Sequence, residues 1–478
     1  MNKPFQLLPL GLLFTAACTT MVGPDYEVPD AQLQESHRAD LAALDALFGR
    51  SDAGVLDLGV WWASFDDPVL SGLIERSVID NFDLRQTLSR IAEAEARLGI
   101  SRSERGPRAD FGAAYVRSGI SENTQFGLFP GQKREQDSYS ATLSASWEID
   151  VWGKARRSIE AAEADLGARI EGLWAVRVSL AGQVADAYLR LRELQSRTDI
   201  ANENVKVLAQ SVDVVSARVQ AGLVEELDLL RARTELESAR ANLPALASAE
   251  AAVVTELGLL LGAEPGELDE LFATGASEIP SPVGRLGTQV PRDLLRRRPD
   301  VRMAERELAA QTARVGVATA DLYPSFSLVG SLGLLSEKPE NLLDGTSFTH
   351  SLSPAVNLPL FSGGAIRANI RVEDQRVDQA LLAWESSVLA ALHEVDGAAT
   401  ALRFEAQRLA ALERAAAEAT RSLERSRTLY REGLITIDAV LDARRALFAI
   451  EDTRAQSRGS LARAHVDLYR ALGGGWPA

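Results

Sequence analysis

The sequence predicts an α+β membrane protein, in which long helices join two amphiphilic β-hairpins, four strands per chain, laid down as two internal structural repeats. Three observations carry that reading. Two proline-poor tracts rich in Ala, Leu, Arg and Glu, roughly 154–243 and 365–472, are long enough for helices that no compact single domain accommodates. Four shorter segments alternate apolar and polar residues with a period of two. The whole order of elements occurs twice within 478 residues.

At the N-terminus, Met1-Asn2-Lys3 is followed by an apolar stretch from Phe5 to Phe14 and by the small residues Thr15, Ala16 and Ala17 ahead of Cys18. Residues 1–17 read as an export signal. The stretch is shorter than the roughly 20 apolar residues of a spanning helix, and Cys18 lies where a bacterial lipoprotein signal is cut and acylated. Thr15 occupies the position that commonly holds leucine there. In that lipoprotein resemblance, Thr19 in place of aspartate points to the outer membrane. After residue 17 no run of 18 apolar residues occurs, so the expected membrane crossing uses strands. Residues 18–66 read as a lipid-anchored extended segment.

The first repeat spans 67–262 and carries a hairpin over 109–150. In its second strand Tyr139, Ala141, Leu143, Ala145, Trp147 and Ile149 share one face, and Ser138, Ser140, Thr142, Ser144, Ser146, Glu148 and Asp150 share the other. Phe111, Ala113 and Tyr115 mark the partner strand, across a polar loop at 121–137. The long helix that follows has an apolar residue at every seventh position from Ile159 through Leu166, Leu173, Leu180, Ala187, Leu194, Ala201 and Leu208 to Val215. A second seam runs through Ile170, Val184, Leu191, Val205, Val212 and Val219, with Arg177 and Thr198 as polar breaks. At 1.5 Å per residue a helix over 154–219 is about 100 Å long. Gly222 stands where a chain reversal needs positive φ, and a returning helix follows.

Residues 263–290, with Pro265, Gly266, Pro280, Pro282 and Gly284, read as a linker. The second repeat spans 291–473 and carries a hairpin over 324–361, with Phe326, Leu328, Leu332 and Leu334 in one strand and Phe348, Leu352, Val356, Leu358 and Leu360 in the other. Residues 474–478 form a tail, and Gly473 to Gly475 read as a helix stop. An offset of 217 carries Ala96-Arg97-Leu98-Gly99-Ile100 onto Ala313-Arg314-Val315-Gly316-Val317. An offset of 211 carries Gly222-Leu223-Val224 onto Gly433-Leu434-Ile435.

Strands of about 9 to 13 alternating residues suit an outer-membrane barrel with a wet interior. Four strands cannot close a barrel, and lipid tolerates no open edge, so several chains must contribute. Two copies would supply eight strands and three would supply twelve, and only the larger barrel leaves a wide lumen.

Composition excludes other classes. With 67 acidic and 51 basic side chains, a net charge of -16 argues against a phosphate-backbone partner, so no nucleic acid is expected. One cysteine and four histidines supply neither a disulfide framework nor a metal cage. No phosphate-binding glycine loop, His-Glu-x-x-His or Gly-x-Ser-x-Gly is present, so neither an enzyme nor a cofactor is expected.

Several motifs together carry a family resemblance. They are Cys18 followed by Val22-Gly23-Pro24-Asp25-Tyr26, then Trp61-Trp62-Ala63-Ser64-Phe65-Asp66-Asp67-Pro68 and Asn81-Phe82-Asp83-Leu84. Arg298-Pro299-Asp300-Val301-Arg302, Asp321-Leu322-Tyr323-Pro324-Ser325 and Pro359-Leu360-Phe361-Ser362-Gly363-Gly364 follow. In these the chain resembles the TolC-type outer-membrane efflux proteins, in their lipoprotein (NodT-like) branch that works with resistance-nodulation-division pumps. The resemblance implies a homotrimer with a single 12-stranded β-barrel, four strands per chain, continued by a long α-helical periplasmic barrel. It implies outer-membrane lipid, a periplasmic adaptor protein and an inner-membrane pump as partners.

By the same likeness, the turns at Gly222-Leu223 and Gly433-Leu434 form the periplasmic tip where the adaptor docks. Tyr430, Asp442 and Arg445 match the family's gate residues, with contacts to Tyr430 holding the tip shut. Asp228 and Asp438 are further acidic residues near the tip. The implied function is a passive exit duct for drugs and other small solutes. Two alternatives stay open at this stage, a duct for type I protein secretion and a trimeric coiled-coil surface scaffold.

Overall fold

A computed structural model of the chain describes residues 21–29, 58–119, 121, 134–273, 278–282 and 297–476. Cys18 and the signal lie outside the described residues. The chain divides into two compact units, each drawing on both sequence repeats. One contains 90–169 and 303–384 with the described N-terminal residues, and the other contains 58–89, 170–302 and 385–476.

In chain order the elements are α1 (Pro68–Asp80), α2 (Phe82–Ser103), β1 (Arg108–Gly119), β2 (Glu135–Ile149), α3 (Lys154–Gln220), α4 (Glu226–Leu261) and α5 (Asp269–Ala273). They continue with α6 (Pro299–Ala320), β3 (Ser325–Ser336), β4 (Phe348–Asn357), α7 (Ala365–Arg431) and α8 (Ile437–Ala471). The two long helices, α3 and α7, have 67 residues each, and their returning partners have 36 and 35, so the duplication reaches element length. Short 3-10 turns at Pro339–Asn341 and Gly345–Ser347 occupy the loop between β3 and β4. The last strand ends at Asn357, short of the expected 360, because Pro359 has no N–H to continue a ladder.

In the first unit the strands form one antiparallel sheet in the order β1-β2-β3-β4. Its register aligns the alternating patterns of both repeats. Phe111 lies opposite Leu143, Leu143 opposite Leu332 and Leu332 opposite His350; Ile149 lies opposite Phe326, and Phe326 opposite Val356. One face is therefore mainly apolar across four strands, with His350 as a polar member, and it is bare: Phe111 and Leu352 are each 72% exposed. On the other face Ser331 hydrogen-bonds Ser351 at 2.7 Å. The outer edges of β1 and β4 have no strand partner among the described residues.

The N-terminal residues are strapped to the start of α3. Arg157, whose side chain is 1% exposed, donates to the carbonyls of Val22 and Gly23, to Asp25 Oδ1 at 2.6 Å and to Glu160 at 2.7 Å. Gly23 has φ +87°, and a Cβ there would overlap the Gly316 backbone of α6. This contact accounts physically for the Val22-Gly23-Pro24-Asp25 motif.

In the second unit the main core joins Trp61, Trp62 and Phe65 to Leu180, Val184, Tyr188 and Leu191 of α3 and to Leu257 and Leu261 of α4. Asp67 caps α1 by accepting from Val69 N and Leu70 N, and its other oxygen accepts from the Tyr188 hydroxyl at 2.6 Å. Burial pushes the Tyr188 hydroxyl well above its ordinary pKa, the Asp67 hydrogen bond adding to it, so it stays a proton donor. Arg298 is buried and bonds Ala471 O, Asp300 and Glu394, which ties the Arg298-Pro299-Asp300 motif to the end of α8.

Several expectations change here. The segment read as extended contains the buried Trp61 and Trp62, and the segment read as a linker contains α5, with Leu268 and Phe272 in the core. Gly474 is packed against Trp61 and Leu58 rather than merely ending a helix. Ile170, assigned to a heptad seam, is 40% exposed. The expectation that no later helix is apolar enough to cross a membrane is also corrected, since α4 contains an 18-residue window of mean hydropathy 1.4. Leucines and valines supply most of that value, but Glu250 and Glu256 of α4 accept hydrogen bonds from Thr198 and Arg190 of α3.

Candidate functional site

The two turns expected to form the tip lie within the second unit, where α3 turns into α4 and α7 turns into α8. Gly222 and Gly433 have φ of +69° and +75°, the region that favours glycine. Each helix ends in the same pair of bonds. Leu223 N donates to Arg218 O and Gly222 N to Val219 O; Leu434 N donates to Leu429 O and Gly433 N to Tyr430 O, all at 2.9 to 3.0 Å. The leucine after each glycine is left in solvent, 71% exposed at Leu223 and 67% at Leu434.

Behind the turns the four helix ends share a small core that includes Leu208 and Val215 of α3, Leu229 and Leu236 of α4, Leu423 of α7, and Ile437 and Leu441 of α8. The heptad positions Leu208 and Val215 thus become the packing seam of the tip. Around this core, polar contacts link the first-repeat helices to the second-repeat helices. Arg231 of α4 reaches Asp438 of α8 at 2.5 Å, and Arg445 of α8 reaches Glu235 of α4 at 3.2 Å. The Arg218 guanidinium of α3 sits 4.4 Å from the centre of the Tyr430 ring on α7. Deeper in, Arg444 of α8 donates to Asn204 of α3 at 2.9 Å, and burial lowers its pKa.

Asp442 and Arg445 are brought together, 2.8 Å apart on one turn of α8. Tyr430 is not joined to them within the chain. Its ring lies under Arg218, and its hydroxyl oxygen is buried with no hydrogen-bond partner among the described residues. Asp228 and Asp438 sit in the first turns of α4 and α8, where the positive helix end favours carboxylates. Arg218, Arg231 and Glu235 are cross-repeat contacts that sequence reasoning did not identify as such. The one available signal was that Arg231 and Asp438 both lie within nine residues of a turn glycine.

The arrangement is a polar clasp over a small apolar core, with no group placed for bond-breaking chemistry among these residues. A family model described as "Outer membrane efflux protein" matches residues 73–263 and 290–474. The chain belongs to that family. Nodulation protein T of Rhizobium leguminosarum bv. trifolii is 28% identical over 98% of this chain and 97% of its own length. The toluene efflux pump outer membrane protein TtgF of Pseudomonas putida is 31% identical over 95% of this chain and 93% of its own. The solved outer-membrane channel OprN superposes with a TM-score of 0.84 at 33% identity, over 95% of this chain and 99% of that one. This efflux protein therefore has the fold of an outer-membrane channel, and the motifs that carried the resemblance were diagnostic.

Proposed function

We propose that three copies of the chain close one 12-stranded β-barrel in the outer membrane, continued by a long α-helical periplasmic barrel, and that the assembly is the exit duct of a tripartite resistance-nodulation-division system. The observation that carries the reading is the sheet, mainly apolar on one face, mainly polar on the other and open at both edges among the described residues. Lipid satisfies the apolar face, and pairing of β4 with β1 of the next copy satisfies the edges. Acylated Cys18 anchors the chain to the same membrane. Solute enters from an inner-membrane pump through a periplasmic adaptor, which docks on the exposed turns at Gly222-Leu223 and Gly433-Leu434.

The clasp at the tip is the gate in this reading. Three solvent-accessible contacts of about 0.2–1 kcal/mol each supply ~1–3 kcal/mol per chain. An adaptor that favours the splayed form by a comparable amount per chain opens the duct by population shift. Asp228, with Glu225 and Glu226 beside it, gives the entrance a preference for cations, and a reversal potential with anion preference would contradict this. The overall reading is tested by native mass spectrometry of the detergent-extracted protein together with planar-bilayer recording. The expected result is a three-chain species that conducts ions. A non-conducting monomer that stays soluble without detergent after delipidation excludes it.

A further inference from the structure

A cavity of about 850 Å³ lies within the first unit, where the sheet gives way to helices. Its floor is the polar face of the sheet, where Arg108 lies opposite Ser146 and Glu148 opposite Ser327. Its walls come from the ends of α2 and α6 and the start of α3. Trp147 Nε1 donates to Arg105 O at 2.9 Å and so fixes the connection between α2 and β1 beside the cavity.

The charges around it do not balance. Arg108 is paired with Asp110 at 3.2 Å and Asp150 with Arg156 at 3.1 Å. Lys154 donates to Asp321 at 2.7 Å. That hydrogen bond raises the ammonium above its ordinary pKa against a desolvation penalty, and the fields of Asp321, Glu148 and Glu104 add to it. One ammonium thus answers three carboxylates, and Glu104 and Glu148 have no ion-pair or hydrogen-bond partner for their carboxylates among the described residues. Beside this excess of negative charge stand apolar side chains, Ile100, which is 64% exposed, and Val317. A volume of this size takes a drug-sized molecule, and a site with apolar walls and a few convergent charges orients one.

We infer that the cavity is a holding site for organic cations in transit, with Glu104 and Glu148 taking the cationic centre and Ile100 and Val317 the hydrocarbon body. A small hydrated metal ion would forgo the apolar walls, and an anion would meet the carboxylates. The inference deepens the duct reading by naming a solute class. The two fail separately, because binding is measured at equilibrium and conduction on its own.

The probe is ethidium, titrated into the full-length detergent-solubilised protein and followed by fluorescence anisotropy, with single-channel conductance recorded in parallel. Saturable binding of one ethidium per chain is expected. Glu104→Gln with Glu148→Gln should weaken it at least tenfold. Lys154→Ala, which removes the competing ammonium, should tighten it severalfold. These opposite signs separate a binding role from general damage to the fold. Affinity unchanged in the double variant, or Lys154→Ala weakening binding as much as the double variant does, overturns the site. Carboxylate-dependent binding by a protein that does not conduct keeps the site and rejects the duct.

Discussion

At the residue scale the tip depends on backbone geometry at two glycines and on a few ion pairs. A Cβ at Gly222 or Gly433 meets nothing within 4 Å, so substitution there costs only the left-handed backbone penalty of about 1–2 kcal/mol. Gly433→Ala should therefore loosen the turn without disturbing packing, seen as several-fold faster hydrogen exchange of the Gly433 and Leu434 amides while exchange in the main core is unchanged. The residues proposed as the gate divide by what they touch. Arg231→Ala with Arg445→Ala removes the ion pairs Arg231–Asp438 and Arg445–Glu235 between α4 and α8, leaving their apolar packing, and should raise single-channel conductance. Tyr430→Phe should leave conductance unchanged if the gate is held within each chain, because the lost hydroxyl has no partner there. A rise caused by Tyr430→Phe alone would assign that hydroxyl a partner on a neighbouring copy. Residue types near the second turn were legible in the sequence. Their pairing was not, because Arg231 and Asp438 are 207 positions apart.

At the scale of elements, period was the dependable signal. The seven-residue seam predicted α3, and Leu180, Ala187, Ala201, Leu208 and Val215 are all buried. Thr198, a polar break in the second seam, is satisfied by Glu250 across the helix pair. The alternation at 138–150 predicted β2 to within a few residues. Arg157 had no such signal, since an arginine near a helix start normally reads as a solvated side chain. Arg157→Leu should leave the Val22 and Gly23 carbonyls without their side-chain donor, at less than the ~1–3 kcal/mol of a fully buried orphaned group because Val22 is half-buried and Gly23 exposed. Limited proteolysis should then cut within residues 21–29 well before the sheet is attacked, whereas resistance equal to that of the parent protein would show that Arg157 is not what holds the strap.

At the scale of the whole molecule, the bare apolar face and the open edges are two aspects of one incompleteness. A fully buried Leu or Phe side chain contributes about 1.5–3 kcal/mol, and Phe111, Leu352 and Val356 forgo most of that in an isolated chain. Placing a charge on this face tests whether lipid supplies it. Leu352→Arg should destabilise the inserted barrel by ~2–4 kcal/mol per copy if the residue lies near the bilayer midplane. The loss would appear as a reduced yield of heat-stable oligomer in the outer-membrane fraction. Equal yield would mean that the face does not meet lipid.

The sequence by itself determined the long helices and the four strands, that the plan is duplicated, and which strand faces are mainly apolar. All of these are written in periods of two or seven or in a repeat offset, and local periodicity follows from backbone geometry alone. Only the tertiary structure decided that β2 and β3 pair to join the repeats, that Arg157 and Arg298 are buried clasps, that Tyr430 lies against Arg218, and that Glu104 and Glu148 line one cavity. Those contacts depend on how each helix is rotated about its axis against partners far away in the chain, and no pattern within a single element specifies that angle.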